Sequence, residues 1–290
     1  MDTTRKKITI LSLQAKKQRR EPIVMVTAYD FAAARLADSA ELDIVLVGDS
    51  LGMVVLGYET TVPVTLAMMI HHCQAVARGV QASFLVCDMP FGSYEVDPSE
   101  AVRNAVRLMQ DGCAEAVKIE GGREMLPAIT AILRAGIPVM GHLGLTPQSV
   151  SKLGGFRVQG KTATTAYAML EDALALQEAG CFAIVLEAIP APVAAAISTR
   201  LTVPTIGIGA GPDCDGQVLV YHDLLGLTFR PYARFVRPYA DLRTTIINAL
   251  STYRDEVRSG QFPAAEHVYP MDEAELAQFQ ALLAQENAPF

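Results

Sequence analysis

Leu42-Asp-Ile-Val-Leu-Val-Gly-Asp-Ser-Leu-Gly-Met53 is the stretch that decides the fold class. It begins as a run of branched apolar residues, which is typical of a strand buried on both faces of a sheet. At Gly48 the run stops, and an acidic residue, a hydroxyl and a second glycine follow. Packing alone does not require a charge at this position. The stretch therefore predicts a buried parallel strand with the carboxylate of Asp49 at its carboxyl end.

The same pattern, an apolar run that ends in a polar group or a glycine, recurs along the chain. It is found at residues 42–49, 84–88, 116–120, 138–142, 182–187 and 203–209. Helical segments alternate with these runs over short connections, which indicates a parallel sheet. Eight strands are predicted, at residues 23–29, 44–47, 83–87, 116–119, 137–140, 182–186, 204–208 and 218–221.

The length and the strand count favour a closed α/β architecture, the (β/α)8 TIM barrel, over an open doubly wound sheet, because a single barrel typically has about 250 residues. We expect an N-terminal helical segment at residues 1–22 and the barrel at residues 23–262. Residues 263–290 are expected to form a C-terminal extension with a short amphipathic helix. Its apolar stripe of Leu276, Phe279 and Leu283 is predicted to dock on its own barrel or on a neighbouring subunit.

Composition restricts the class of function. The chain is 51% hydrophobic and 19% charged, and its net charge of −7 argues against a nucleic-acid-binding protein. Basic clusters at residues 5–7 and 16–20 are interpreted as a solvated helix face in preference to a phosphate-binding patch. Five cysteines without a C-x-x-C motif are typical of free thiols in a reducing compartment. No apolar run is long enough to span a membrane, so a cytoplasmic protein is expected.

Polar side chains gather at the predicted carboxyl ends of the strands, where the active sites of parallel barrels lie. They are Asp49, Ser50, Asp88, Lys118, Glu120, His142 and Glu187. Because side chains alternate along a strand, Lys118 and Glu120 should face the mouth while Val117 and Ile119 face the outer helices. A lone aspartate after a strand is more often a helix cap or turn former. Four carboxylates and a lysine at four strand ends nevertheless predict a site.

Carboxylates in a partly dry cavity need a compensating cation. No Cys/His cluster has zinc spacing, whereas oxygen ligands from two or three carboxylates suit Mg²⁺, which takes its other ligands from water and substrate. A chelating 2-oxo acid fits such a site, with Lys118 balancing its carboxylate. His142 would either donate a hydrogen bond to the acid or serve as a structural histidine. Glu187 is left as a general base for a proton beside the ketone.

Two motifs match nucleotide-binding loops without the surroundings that those loops need. Gly155-Phe-Arg-Val-Gln-Gly-Lys-Thr162 fits the P-loop pattern, but the residues before it are not a buried strand. Gly207-Ile-Gly-Ala-Gly211 has Pro212 where the dinucleotide-binding pattern requires glycine. We therefore reject both nucleotide interpretations and expect the second loop to allow close approach of backbone to a ligand.

Longer motifs resemble the ketopantoate hydroxymethyltransferase (3-methyl-2-oxobutanoate hydroxymethyltransferase) family over roughly residues 8–267. They are Thr27-Ala-Tyr-Asp30, Val47-Gly-Asp-Ser-Leu-Gly-Met53, Pro63-Val-Thr65, Asp88-Met-Pro90, Val117-Lys-Ile-Glu-Gly-Gly122, Gly141-His-Leu-Gly-Leu-Thr-Pro-Gln-Ser149, Gly155-Phe-Arg-Val-Gln-Gly160, Leu186-Glu187 and Gly207-Ile-Gly-Ala-Gly211. Motifs of this length do not agree by chance, and the P-loop match falls inside one of them.

The resemblance implies a barrel of the phosphoenolpyruvate mutase/isocitrate lyase superfamily that assembles as a homodecamer. It implies a transferase of pantothenate biosynthesis that moves a hydroxymethyl group from 5,10-methylenetetrahydrofolate to 3-methyl-2-oxobutanoate and forms 2-dehydropantoate. By motif, Asp49, Asp88 and Glu120 correspond to Mg²⁺ ligands, and Glu187 to the base that removes the C3 proton. Contacts with the 2-oxo acid are implied for Asp49, Ser50, Asp88 and Lys118.

Two other functions are compatible with the predicted site. A Mg²⁺-dependent C–C lyase or mutase on the same barrel is one, although that group more often uses a cysteine in a mouth loop, and none is found here. A catalytically silent protein that binds oxo acids is the other. Exchange of the C3 proton in deuterium oxide separates them, since a lyase would cleave and a binding protein would leave the proton in place.

Overall fold

The computed structural model describes residues 5–286 and shows one closed barrel of eight parallel strands. Each strand pairs with its neighbour in chain order, and β1 closes the barrel by pairing with β8. The strands are β1 (Ile23–Thr27), β2 (Ile44–Val47), β3 (Phe84–Asp88), β4 (Ala116–Glu120), β5 (Val139–Gly144), β6 (Ala183–Glu187), β7 (Thr205–Ile208) and β8 (Gly216–Leu219). The predicted TIM barrel is confirmed, and the open sheet is excluded.

Twelve α-helices lie within the described range. They are α1 (Ile10–Arg19), α2 (Phe31–Ser39), α3 (Leu51–Val54), α4 (Leu66–Gly79), α5 (Pro98–Gln110), α6 (Leu126–Arg134), α7 (Val150–Leu153), α8 (Ala163–Ala179), α9 (Ala191–Arg200), α10 (Tyr221–Leu224), α11 (Leu242–Ser259) and α12 (Glu273–Glu286). Short 3₁₀ helices occur at Arg123–Met125, Pro147–Ser149 and Ala265–His267.

Polar side chains begin three of the barrel helices, as their sequence predicts. Asp30 and Thr65 each accept a hydrogen bond from the backbone N–H three residues further on, and Asp97 accepts two bonds from backbone N–H groups. These bonds satisfy donors that the first turn of a helix leaves without partners. The local sequence therefore fixes where α2, α4 and α5 begin, and with them the lengths of the loops before them.

Apolar layers pack on both sides of the barrel wall. The interior layer includes Ile23, Phe84, Ala116 and Met140. Val117 and Ile119 belong instead to the layer between the wall and the helices. Ala116 lies on the interior side of β4, so Lys118 and Glu120, two and four residues later, share that side nearer the carboxyl end. The predicted orientation of this strand is confirmed.

The N-terminal helix is packed more closely than its sequence suggests. Leu13 on α1 is 1% exposed and joins the interior apolar layer, with residues that begin the strands. Lys16 pairs with Asp43 at 2.7 Å, and Lys17 pairs with Asp215 at 2.6 Å. The interpretation of residues 16–20 as a solvated face is therefore wrong for these two lysines, which tie α1 to the amino-terminal end of the barrel.

The connection from β7 to β8 differs from the other crossovers because residues 209–215 contain no helix. The outer face of the neighbouring strand β1 is correspondingly open, and Val24 is 47% exposed. A cavity of about 570 Å³ lies here, lined in part by Val24, Gln217 and Phe235. It lies outside the barrel wall and contains none of the predicted site residues.

Two predicted boundaries need correction. Strand β8 begins at Gly216, two residues before the predicted start, because Gly216 pairs with Ile23 across the closing seam. Strand β5 continues to Gly144, so His142 lies on a strand and not at the start of a long loop. The remainder of that predicted loop contains the 3₁₀ helix Pro147–Ser149 and the short helix α7.

Contacts divide the chain into two compact units, one that ends at Ala240 and one that begins at Asp241. The second contains α11 and α12, and α12 is the helix predicted in the C-terminal extension. The predicted domain boundary after residue 262 stays a prediction, and residues 1–4 and 287–290 of the predicted terminal segments lie outside the described range. Between residues 5 and 286, no helix combines the length and the apolar character needed to cross a membrane.

Candidate functional site

Strand register brings the predicted site residues together at the carboxyl end of the barrel. Asp88 on β3 is the register partner of Lys118 on β4, and Glu120 on β4 is the partner of His142 on β5. Glu187, the last residue of β6, is paired with Gly144 on β5. Residues as far apart in sequence as Asp88 and Glu187 therefore meet, because the chain places its parallel strands in sequential order.

Asp88 is held from two sides. Its Oδ2 accepts a hydrogen bond from the backbone N–H of Asp49 at 3.0 Å, and its Oδ1 lies 2.7 Å from Lys118 Nζ. Both side chains of this ion pair are 5% exposed. Loss of one partner from a buried pair typically costs about 3–5 kcal/mol, because the other charge remains buried and unpaired.

The buried charges are not balanced. Burial raises the pKa of Asp49 well above its usual range, and repulsion from Asp88 and Glu120 raises it further. Burial also lowers the pKa of Lys118, but the surrounding carboxylates of Asp88, Glu120 and Asp49 raise it by more, above its ordinary value. Lys118 is therefore charged at neutral pH and does not neutralise the cluster alone. An additional cation or a proton is needed.

His142 links two carboxylates on either side of its ring. Nε2 lies 3.2 Å from Glu187 Oε2, and Nδ1 lies 3.4 Å from Glu120 Oε1. Nδ1 is also 3.3 Å from Lys118 Nζ. Burial and the Lys118 charge lower the pKa of His142, but the contacts with Glu120 and Glu187 outweigh them and raise it to about 9. The imidazole is therefore protonated at neutral pH.

Glu187 is the most accessible carboxylate of the group. Its side chain is 16% exposed, compared with 4% for Glu120 and 5% for Asp88. Its backbone approaches β5 so closely that a Cβ on Gly144 would lie 2.1 Å from the Glu187 carbonyl oxygen. Gly144 also has a φ of +98°, in the region that favours glycine. Only glycine at this position lets Glu187 take its place at the mouth.

Ser50 lies beside the cluster and does not cap the helix that it precedes. Its Oγ is 2.9 Å from the hydroxyl of Tyr29, and it makes no capping hydrogen bond to α3. Burial raises the pKa of Tyr29 above its ordinary value, so its phenol stays protonated. The Ser50 hydroxyl is thus available at the mouth, in the region where substrate contact is predicted.

Sequence reasoning missed two members of the site, Gln148 and Tyr94. Gln148 Nε2 donates to Asp49 Oδ2 at 2.8 Å, and the backbone N–H of Gln148 donates to Glu120 Oε2 at 3.0 Å. Tyr94 donates from its hydroxyl to Gln148 Oε1 at 2.6 Å. Gln148 lies inside the family motif at residues 141–149. A neutral polar residue in such a motif was the one feature of the sequence that could have indicated its place in the site.

The donor set suits a hard cation, but it does not form a closed metal cage. Within residues 5–286, no group of three or more His, Cys, Asp or Glu side chains is arranged to hold a metal ion. The carboxylate oxygens are instead engaged with Lys118, Gln148 and backbone N–H groups. The structure also agrees with rejection of the nucleotide motifs, because residues 155–162 follow the short helix α7 and not a strand.

Comparison with known proteins assigns the family. The sequence model described as "Ketopantoate hydroxymethyltransferase" matches residues 7–265. A protein of Moorella thermoacetica named 3-methyl-2-oxobutanoate hydroxymethyltransferase is 58% identical over 265 residues, which cover 91% of this chain and 98% of that protein. A protein of the same name from Emericella nidulans is 50% identical over 279 residues, which cover 95% of this chain and 80% of that protein.

Solved structures support the fold. Phosphonopyruvate hydrolase in complex with oxalate and Mg²⁺ aligns with a TM-score of 0.59 at 13% identity, covering 96% of this chain and 97% of that chain. A 2,3-dimethylmalate lyase, described as a PEP mutase/isocitrate lyase superfamily member, aligns with a TM-score of 0.55 at 15% identity, covering 94% and 98%. At such identities the likeness concerns the barrel alone. From its sequence relatives and its barrel, the chain belongs to the ketopantoate hydroxymethyltransferase family.

Proposed function

We propose that the chain transfers a hydroxymethyl group from 5,10-methylenetetrahydrofolate to 3-methyl-2-oxobutanoate in pantothenate biosynthesis. One water is consumed, and 2-dehydropantoate and tetrahydrofolate are formed. The observation that carries the proposal is the buried cluster of Asp49, Asp88 and Glu120 beside the more accessible Glu187, in a chain 58% identical to a protein named for this activity. The cluster supplies the charges that the chemistry requires, and Glu187 supplies the base.

Glu187 removes the proton at C3 of the oxo acid. Its Oε2 lies 3.2 Å from His142 Nε2, a contact that orients the carboxylate at the mouth, where its side chain is 16% exposed. Lys118 pairs with the carboxylate of the oxo acid, and Ser50 donates its hydroxyl to the acid. C3 then forms the new carbon–carbon bond with the one-carbon unit of the folate, and the two bonds from that carbon to the folate nitrogens break. Water supplies the hydroxyl group, and the proton taken from C3 and the remaining proton of the water end on the two nitrogens of tetrahydrofolate.

The residues fit Mg²⁺ in donor chemistry and in charge. Asp49, Asp88 and Glu120 offer only oxygen ligands. Burial first, and then repulsion from Asp88 and Glu120, raise the pKa of Asp49, and a divalent ion would offset both effects. Mg²⁺ typically binds through one or two carboxylates together with water and substrate oxygens, so a cage of three side chains is not required. When bound, the ion would polarise the ketone and stabilise the enolate. We assign Asp49 and Asp88 as direct ligands, with Glu120 completing the site.

Assembly and compartment follow from the same proposal. The family resemblance supports a homodecamer, for which light scattering should give about ten times the chain mass of 31.2 kDa. The cysteines at positions 73, 87, 113, 181 and 214 are free thiols, which supports a cytoplasmic location. The partners are then the 2-oxo acid, the folate and further copies of the chain, with no nucleic acid and no membrane.

The direct test is formation of 2-dehydropantoate from 3-methyl-2-oxobutanoate and the folate donor, with and without a chelator. We expect product that disappears with the chelator and returns when Mg²⁺ is restored. Exchange of the C3 proton in deuterium oxide, with Mg²⁺ and without folate, separates the rival functions. Exchange without cleavage of the oxo acid supports the transferase, whereas cleavage would indicate a lyase. No exchange at all would indicate a protein that binds the oxo acid without catalysis.

A further inference from the structure

Gln148 is hydrogen-bonded at both polar atoms of its side chain although it carries no charge. Its side chain is buried, and Nε2 donates to Asp49 Oδ2 at 2.8 Å and to the carbonyl oxygen of Met89 at 2.9 Å. Its Oε1 accepts the hydroxyl proton of Tyr94 at 2.6 Å. Its backbone N–H donates to Glu120 Oε2 at 3.0 Å. One residue thereby contacts two of the proposed metal ligands from a loop that belongs to neither of their strands.

The surroundings allow only one orientation of the Gln148 amide. If the amide were flipped, Oε1 would face the Met89 carbonyl oxygen, which can only accept a hydrogen bond. Tyr94 meets the other end as a donor, because its hydroxyl lies 2.6 Å from Gln148 Oε1. The amide N–H groups are therefore fixed on Asp49.

We infer that Gln148 is a positioning residue that orients the carboxylates of Asp49 and Glu120 for the cation. The inference rests on the proposed function, because it concerns the Mg²⁺ assigned there. Gln148 occupies Asp49 Oδ2 and so leaves Oδ1 as the oxygen that can meet a cation. Groups that hydrogen-bond to metal ligands in this way typically contribute 10- to 100-fold in metal affinity. Tyr94 acts one step further out by holding the Gln148 amide.

Gln148→Met in the full-length chain tests the inference, because methionine has a similar length and retains the backbone N–H bond to Glu120. By calorimetry with Mg²⁺ alone, we expect the Kd to rise by about 10- to 100-fold. Tyr94→Phe should raise it by about threefold through loss of one neutral hydrogen bond. Gln110→Met, the same change at an exposed position on α5, should leave it unaltered. Saturating Mg²⁺ should restore C3 proton exchange in Gln148→Met if the variant only binds the ion more weakly. If the substitution instead damages the fold of the site, added Mg²⁺ should not restore exchange.

Each outcome decides the inference. Wild-type Mg²⁺ affinity in Gln148→Met would overturn it, and so would lost exchange that excess Mg²⁺ does not restore. If Gln148→Met does not fold, Tyr94→Phe decides, and an unchanged Kd in that variant overturns the inference. If the wild-type chain binds no Mg²⁺, the metal of the proposed function fails and the inference fails with it. If the wild-type chain binds Mg²⁺ and the variants bind it equally well, only the inference fails.

Discussion

Replacement of Glu187 by glutamine removes the proposed base and changes little else. The two side chains have the same shape, so glutamine can keep the contact with His142 Nε2, which lies 3.2 Å from Glu187 Oε2 in the wild type. The contact of His142 with Glu120, which also raises the pKa of the imidazole, is kept in this variant. We therefore expect Glu187→Gln to bind the oxo acid and to lose C3 proton exchange.

The expected size of the loss follows from the role of the residue. A positioned general base typically contributes about 10²- to 10⁴-fold, which corresponds to roughly 2.7–5.4 kcal/mol in the activation free energy at 1.36 kcal/mol per decade. Glu187 is 16% exposed and is not part of the Lys118–Asp88 ion pair, but it faces the buried His142 imidazolium, so the free energy of unfolding should fall by about 1–2 kcal/mol. Oxo acid affinity should stay within about threefold, because the Lys118 contact is kept.

Proton exchange in deuterium oxide, followed by NMR with Mg²⁺ present, measures this loss without the folate half of the reaction. Calorimetry with 3-methyl-2-oxobutanoate measures binding in the same preparation. Glu178→Gln is the matched control, because Glu178 is an exposed glutamate on α8. Exchange at the wild-type rate in Glu187→Gln would refute the assignment of Glu187 as base. Equal losses of exchange in Glu187→Gln and Glu178→Gln would mean that the effect does not depend on the location of Glu187 at the mouth of the barrel.

Three further predictions concern stability. Lys118→Met should lower the free energy of unfolding at pH 7 by about 3–5 kcal/mol in urea titrations. Burial and repulsion raise the folded-state pKa of Asp49, so protonation of the carboxylates should make this loss smaller as the pH falls. A loss that does not change with pH would contradict the prediction. His142 has a higher pKa in the folded state, about 9, than in the unfolded state, about 6.5, so its proton stabilises the fold below this range. The free energy of unfolding of the wild type should therefore fall by roughly 2–3 kcal/mol as the pH rises from about 6.5 to about 9. His142→Gln should lack this decline. Gly144→Ala places a Cβ 2.1 Å from a carbonyl oxygen of β6, whereas Gly136→Ala, at a residue whose φ is also positive (+83°, compared with +98° at Gly144), places its Cβ with nothing within 4 Å. Calorimetric melting should show a clearly larger loss of stability for Gly144→Ala, and similar losses would argue against the steric explanation.

Local sequence was sufficient for the architecture. Apolar runs such as 42–47 require burial on both faces, and their sequential order with short connections leaves little besides a parallel barrel. Parallel strands also put the charged ends of these runs at the same end of the barrel. The pairing of Asp88 with Lys118 in neighbouring strands agrees with that prediction. Helix starts were predictable where one side chain, such as Asp30, satisfies backbone donors within three residues.

Features that depend on distant contacts were not predictable in this way. Gln148 bonds to Asp49 across 99 residues, and no periodicity marks such a pair. The ion pairs of α1 with Asp43 and Asp215 likewise form only after the barrel closes. The helix-free crossover at residues 209–215 was not anticipated either, because strand and helix patterns do not reveal a missing helix.

The central claim is that carboxylates from separate strands share one divalent ion at the mouth of the barrel. A crystal structure with Mn²⁺ as an anomalous probe and 3-methyl-2-oxobutanoate tests it most directly. The account predicts one anomalous peak within about 2.0–2.5 Å of carboxylate oxygens of both Asp49 and Asp88. An oxo acid bound at the mouth without such a peak, or a peak that only one of the two carboxylates reaches, would contradict it.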